Sequence, residues 1–277
     1  PNLSVLGLKK KKLAILYTIK MLIPIYQIHY INLYFRLFLP HQYNYTLSVS
    51  QDQYALLEYL IKEYLNNFDT MFSTIGFVGA NEMCLNYLGK GIETEEGRNF
   101  TIEVMNFMKE TIKDFQEETD ELFNFEYTPA ESAAYRLAKC DRARYGSEIA
   151  QAGQVNKYYT NSTHLPVGIQ WSYKKIYEHQ NGLLDLATGG SAIHNYMKES
   201  TTPEMIKHFL KVSFENYKIP YISFSPLFSI CETHGFIKGG HKVCPECGEK
   251  VTQYQRVTGY VRAVENFNEG KQEEFKV

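Results

Sequence analysis

The feature that most constrains this chain is a run near its C-terminal end, Cys231-Glu-Thr-His234-Gly-Phe-Ile-Lys-Gly-Gly-His-Lys-Val-Cys244-Pro-Glu-Cys247-Gly248. Cys231 and His234 form one pair and Cys244 and Cys247 a second, each with two residues between its members. That gap lets one tight turn aim both side chains at a single ion, and two such pairs complete the tetrahedral set that Zn2+ takes in structural sites. Gly248 after the second pair and Gly239-Gly240 between the pairs let the backbone curl where a Cβ would clash. His241 competes with His234 as fourth ligand, although its spacing suits a turn less well. Four protein ligands leave no open position for a substrate, so the site is expected to be structural, with ion binding supplying folding free energy to a small loop-rich ribbon. The alternative of buried thiols beside a surface imidazole accounts poorly for the Cys-Pro-Glu-Cys-Gly knuckle.

The 277 residues suffice for one large domain or two small ones. A net charge of −2 argues against a dedicated nucleic-acid binder, which would show a basic face. Five cysteines, three of them in the metal pattern, point to a reducing cytoplasm rather than to a disulfide framework. Residues 1–51 differ from the rest, carrying Lys9 to Lys12, Lys20 and Arg36 but no acid. Leu13 to Pro40 superficially resembles a signal anchor. Lys20, Pro24, Gln27, His29, Asn32 and Arg36 nevertheless interrupt any apolar span of ~20 residues. The expectation is an atypical N-terminal extension, disordered or foreign to the fold, and no membrane segment.

From Gln53 onward the pattern becomes that of an α/β protein. Leu57, Leu60, Ile61, Tyr64, Leu65 and Phe68 recur on one helical face. Phe72 to Gly79 reads as a buried strand ending at a glycine, with Asn81-Glu82 opening the next helix. Thr94 suits the cap of a long helix with Phe100, Val104, Met108, Ile112 and Phe115 on its apolar face. Thr128-Pro129-Ala130-Glu131 has the form of a capping box with proline at the first helical position, and predicts a helix to about Gly146. Thr202-Pro203-Glu204 begins another by the same logic, and Tyr221 to Ser225 is the last strand before the ribbon. This alternation favours an α/β barrel or a layered sheet.

Two stretches of this middle region set polar groups beside turns. Tyr158 to Val167 contains Asn161, Ser162, Thr163 and His164, and the apolar run from Leu183 breaks into Gly189-Gly190-Ser191 before His194. In α/β sheets ligands sit at the carboxyl ends of strands, and backbone N–H groups of a glycine loop can cradle phosphate. Taken alone, both stretches read more simply as ordinary turns, with His164 and His194 as hydrogen-bonded loop residues.

Downstream of the ribbon stands Arg256-Val-Thr-Gly259-Tyr260. By itself this is a strand ending in a turn, whose glycine marks a positive φ or a close approach. The whole stretch from Arg256 to Phe275, directly after a ribbon, resembles the C-terminal glycyl radical segment of the anaerobic (class III) ribonucleoside-triphosphate reductases. The blocks 72–82, 128–138, 159–166 and 189–194 resemble segments of the same enzymes in the same order, so the resemblance covers residues 54–277.

The resemblance implies the C-terminal half of a ten-stranded α/β barrel at residues 52–226, a zinc ribbon at 227–252 and a glycyl radical loop at 253–277. It implies that Gly259 stores the radical on its Cα, where a side chain would hinder the flattening that spreads the spin into both flanking peptide groups. Asn161, Ser162, Thr163, His164, Gly189, Gly190 and Ser191 would line a pocket for a ribonucleoside triphosphate. Cys231, His234, Cys244 and Cys247 would hold Zn2+, with His234 where some members have a fourth cysteine. The implied partners are an activating enzyme that uses an iron–sulfur cluster and S-adenosylmethionine, and a second copy in the intact enzyme; the implied location is the cytoplasm.

The family's thiyl-forming cysteine precedes the matched region, and its ATP-binding regulatory module finds no counterpart here. Cys84 and Cys140 lie in helical patterns, where an inert thiol is the default. The chain by itself is therefore not expected to turn over. Two other classes remain: a glycyl radical enzyme of the formate-lyase type, which shares Arg-Val-x-Gly-Tyr but is not expected to carry the ribbon, and a non-catalytic zinc-ribbon binding module in which Gly259 is a plain turn.

Overall fold

The computed structural model describes residues 72–197, 201–256 and 261–276. The extension at 1–51, the helical pattern at 57–68 and Gly259 lie outside the described residues.

Four strands run parallel in chain order: β1 (Ser73–Gly76), β2 (Phe123–Glu126), β3 (Ile193–Met197) and β4 (Ile222–Pro226). β1 pairs with β2 in the register Ser73 to Phe123, and β3 with β4 in the register Ile193 to Ile222. Gly189 N donates to Phe125 O at 2.6 Å and Tyr127 N to Gly190 O at 3.0 Å, so the segment entering β3 links the two pairs. Parallel neighbours need long crossovers. These are supplied by α1 (Ala80–Leu88), α2 (Glu95–Thr119), α3 (Glu131–Tyr145), α4 (Tyr173–Gln180) and α5 (Pro203–Asn216). The expected α/β class is thus present.

Local signals account for two helix starts. Thr94 accepts from Gly97 N at 3.1 Å, and Thr202 accepts from Met205 N at 3.3 Å with Pro203 next in line. The third helix, expected to run to about Gly146, is present as Glu131–Tyr145, but its capping box does not form: the cap residue, Ala130, makes no side-chain cap. Thr128 Oγ1 is buried against the backbone of Gly76, where a Cβ would collide with it, and it has no hydrogen-bond partner. Tertiary packing has claimed the hydroxyl that a capping box would use, and two short backbone bonds, Ala130 N to Thr128 O and Glu131 N to Pro129 O, shape the entry instead.

Phe100, Val104, Met108 and Ile112 of α2 are buried against Phe77, Phe125 and Ile193 in one hydrophobic cluster. Phe115, expected on the same face, is exposed near the helix end, its ring 6.1 Å from that of Phe123. Alternation along β3 separates two environments. Asn195 is buried towards α4, donating to Tyr177 Oη at 2.9 Å, whereas His194 lies on the opposite face beside Ser223.

The remaining strands form an antiparallel sheet in the order β6-β5-β7-β8: β5 (Phe228–Cys231), β6 (Gly235–Lys238), β7 (Thr252–Gln255) and β8 (Arg262–Ala263). The last helix, α6 (Glu269–Phe275), is capped by Asn268, which accepts from Lys271 N at 2.9 Å. Among the described residues no helix is long and apolar enough to cross a membrane.

Candidate functional site

The β5–β6 hairpin carries Cys231 and His234 at its tip, and the turn before β7 carries Cys244 and Cys247. Each pair is followed by a glycine in left-handed conformation, Gly235 at φ 72° and Gly248 at φ 75°. Any other residue would be strained there, so both turns are built to the same plan. Backbone N–H groups of His234 and Thr233 hold the Cys231 thiol below its usual pKa. Those of Cys247 and Glu246 do the same for Cys244.

One ligand atom from each of Cys231, His234, Cys244 and Cys247 lies within 4.8 Å of the others. The separations are 3.7 Å between Cys231 Sγ and Cys247 Sγ, and 3.7 and 3.5 Å from His234 Nδ1 to Cys231 Sγ and Cys244 Sγ. A tetrahedron with metal–sulfur bonds of about 2.3 Å and metal–nitrogen bonds of about 2.0 Å has edges of about 3.7 Å and about 3.5 Å. The donor set therefore fits Zn2+ in both chemistry and spacing. His241 is turned away, with Nε2 2.9 Å from Lys238 O.

β7 joins this cluster to the C-terminal segment. Along one edge it pairs with β5, placing Phe228 opposite Tyr254, and along the other it pairs with β8, placing Tyr254 opposite Ala263 and Gln255 opposite Arg262. Gly259 falls in sequence between those two strands. The phenyl ring of Phe228 stacks on Tyr254 at 5.5 Å and 8°.

The two polar stretches of the middle region meet at the end of the parallel strands. His164 Nε2 lies 2.7 Å from Ala192 O, its ring is 5.9 Å from that of His194, and His194 Nδ1 lies 2.6 Å from Ser223 Oγ. Burial lowers the pKa of His164, and it lowers that of His194 to about 4, with His164, Arg256 and Lys271 adding to the effect. Asn161, Ser162 and Thr163 are buried, and Ser162 takes a left-handed φ of 46°. Gly189 and Gly190 are exposed, and their backbone bonds to β2 commit the Gly189 N–H to the sheet. Ser191 donates to Leu184 O at 2.7 Å.

Several participants carry no local sequence signal. Glu82 is enclosed at the start of α1 and bonded to Thr160, and burial raises its pKa. On α6, Lys271 and Glu274 form a buried ion pair at 2.5 Å, with Lys271 Nζ 5.9 Å from the centre of the Tyr158 ring. Glu273 accepts from Gln154 N and Val155 N at 3.0 Å each, and Tyr135 Oη donates to Glu269. Polar contacts thus seat α6 on the α/β core next to the His164–His194 pair.

The anaerobic ribonucleoside-triphosphate reductase family model matches residues 24–277, which takes in part of the N-terminal stretch that looks atypical by composition. The chain is 29% identical over 224 residues to the anaerobic ribonucleoside-triphosphate reductase of Haemophilus influenzae, covering 73% of this chain and 30% of that protein. A solved anaerobic ribonucleotide reductase aligns with a TM-score of 0.67 at 26% identity, over 81% of this chain and 37% of that one. The Thermotoga maritima enzyme with MES in its active site aligns with a TM-score of 0.64 at 25% identity, over 78% and 37% of the two chains. The chain thus spans 30% of the curated relative's length. The parallel core, the Cys/His cluster and a sequence match over nearly the whole length agree: the chain belongs to the anaerobic ribonucleoside-triphosphate reductase family.

Proposed function

We propose that this chain is the radical-bearing C-terminal part of an enzyme that reduces ribonucleoside triphosphates to deoxyribonucleoside triphosphates, with Gly259 as the radical-storing residue. The observation that carries this reading is the sequence position of Gly259, in the stretch that links β7 to β8, two paired strands of the sheet that holds the Cys/His cluster, in a chain of this family. In the intact enzyme β1 to β4 belong to a ten-stranded barrel, followed by the ribbon at 227–252 and the radical loop at 253–277. Asn161 to His164 and Gly189 to Ser191 line the nucleotide pocket. The enzyme works in the cytoplasm as a homodimer.

Cys231, His234, Cys244 and Cys247 would hold Zn2+, which supplies structural closure of the ribbon rather than a reacting centre. The ribbon fixes β7, and β7 with β8 holds the ends of the segment carrying Gly259. Hydrogen abstraction from the Gly259 Cα requires a radical donor, proposed to be an activating enzyme with an iron–sulfur cluster and S-adenosylmethionine. The role of the barrel cysteine that takes the radical on to the ribose is assigned to neither Cys84 nor Cys140. Replacement of the ribose 2′-hydroxyl by hydrogen, with the hydroxyl leaving as water, then consumes two electrons and two protons, the electrons coming from an external reductant. The half-buried neutral imidazoles of His164 and His194 supply hydrogen-bonding groups without adding positive charge.

The test is anaerobic incubation with the activating enzyme followed by electron paramagnetic resonance. A doublet that disappears in Gly259→Ala, with chain scission at that residue on exposure to oxygen, supports the proposal. Silence in the unsubstituted protein leaves a zinc-ribbon module and overturns it.

A further inference from the structure

Glu82 is 1% exposed. An acid in the first turn of a helix ordinarily serves the helix dipole from the surface. Glu82 instead reaches a residue 78 positions away: Oε2 accepts from Thr160 N at 2.9 Å, and Oε1 accepts from Thr160 Oγ1 at 2.7 Å. Oε1 also accepts from Asn81 Nδ2 at 3.1 Å, and Asn81 cannot turn over, because its Oδ1 accepts from Ile92 N at 3.2 Å.

The loop answers from its own side. Thr160 O accepts from Gly79 N at 2.8 Å and Ser162 O accepts from Ala80 N at 3.1 Å, so the loop carbonyls satisfy N–H groups at the start of α1. Between these bonds and His164 sits Ser162 in its left-handed conformation. For a non-glycine residue that geometry costs roughly 1–2 kcal/mol and persists only where its surroundings over-determine it.

We propose that Glu82 is a positioning residue whose two carboxylate oxygens hold the Thr160–His164 loop in the shape that receives substrate; this rests on the pocket assigned above. Both oxygens are needed. A glutamine would set its NH2 against Thr160 N–H in one orientation and against Asn81 Nδ2 in the other, so a donor faces a donor either way. A buried donor left without its acceptor costs about 1–3 kcal/mol, enough to let the loop leave this conformation.

Amide hydrogen exchange followed by mass spectrometry tests this on the chain with Zn2+ present. Glu82→Gln is expected to speed exchange in the 158–165 peptide by about tenfold or more, leaving the 104–112 peptide of α2 as it was. Thr160→Val, which removes only the hydroxyl bond, is expected to give a smaller acceleration in the same peptide. Wild-type exchange at 158–165 in either variant overturns the proposal. If Glu82→Gln loosens α2 as well, Thr160→Val decides alone. In the activated reductase, Glu82→Gln should raise the KM for the ribonucleotide by a larger factor than it lowers kcat, with the glycyl radical signal retained. Faster loop exchange with an unchanged KM removes the substrate pocket from this loop while Glu82 still holds it, so the two failures are told apart.

Discussion

His234 Nδ1 lies 3.5 Å from Cys244 Sγ across ten positions of sequence, close to the edge length of a tetrahedral site with mixed nitrogen and sulfur ligands. Imidazole coordination through Nδ1 leaves Nε2 free for the carboxylate of Glu246, 3.6 Å away. Metal-bound histidines commonly orient in this way. His234→Ala should therefore weaken Zn2+ binding by more than the roughly 10–100-fold that outer-shell changes cost, whereas His234→Cys should retain the metal. His241→Ala should bind as the parent does. Competition against a chromophoric chelator measures all three, and a His241→Ala defect as large as that of His234→Ala would transfer the fourth ligand to His241.

Removing the metal should melt the ribbon without melting the α/β core. The buried hydrophobic cluster of the ribbon consists of Cys231, Cys244 and Val251, with Ile237 packed on it, so two of its three members are metal ligands. The main cluster, around Phe77, Phe125, Met105 and Leu184, makes no use of the site. On chelation, exchange should accelerate throughout β5 to β8 and stay slow in α2. Because β7 hydrogen-bonds both to β5 and to β8, the β8 strand, which follows Gly259 in sequence, should lose its protection along with the ribbon.

The two thiols outside the ribbon should differ sharply in reactivity. Cys84 is fully buried, with Sγ 3.3 Å from both Gly97 O and Thr101 Oγ1, and burial pushes its pKa up to about 11. Cys140 is exposed. With Zn2+ bound, iodoacetamide at pH 8 should label Cys140 and spare Cys84 until the chain is denatured, since only about 0.1% of a thiol of that pKa is thiolate at pH 8. Ready labelling of Cys84 in the folded chain would reopen it as a radical-carrying cysteine.

What could be read from sequence divides by the distance over which each contact acts. The helix caps at Thr94 and Thr202 close bonds over three residues, and both follow from the local pattern. The Cys231/His234 and Cys244/Cys247 turns are equally local, and a shared ion is the chemical reason for two of them. Thr128 shows the limit: its motif is sound, but Gly76, on the neighbouring strand, takes up the side chain. Asn81-Glu82 was legible as a helix start, while the partner that gives Glu82 its burial is Thr160, far along the chain. Lys271 and Glu274 look like a solvated i,i+3 pair until α6 is docked, when both become almost wholly buried. The apolar pattern of α2 named four core positions correctly and overran by one turn to Phe115, because the helix outlasts the sheet that covers it.

The half-buried imidazole of His194 should make stability fall on the acid side. Its folded pKa is lowered to about 4 by burial first, with His164, Arg256 and Lys271 contributing, against an ordinary value of 6.5. Between those two values the unfolded chain binds a proton that the folded chain refuses, so stability rises with pH across the window. The contribution of the neutral ring is complete above about pH 6.5, is lost progressively as pH falls, and is gone below about pH 4. His194→Gln keeps a polar group for Ser223 Oγ but cannot titrate. Urea unfolding of the two proteins from pH 7 to pH 4 should give a shallower decline for the variant, by up to one proton in the slope of stability against pH. The metal ligands and the carboxylates act alike in both proteins and cancel in the difference. Parallel declines would mean that His194 titrates in the folded state much as it does in the unfolded chain, and that the interior face of β3 and β4 is open to water.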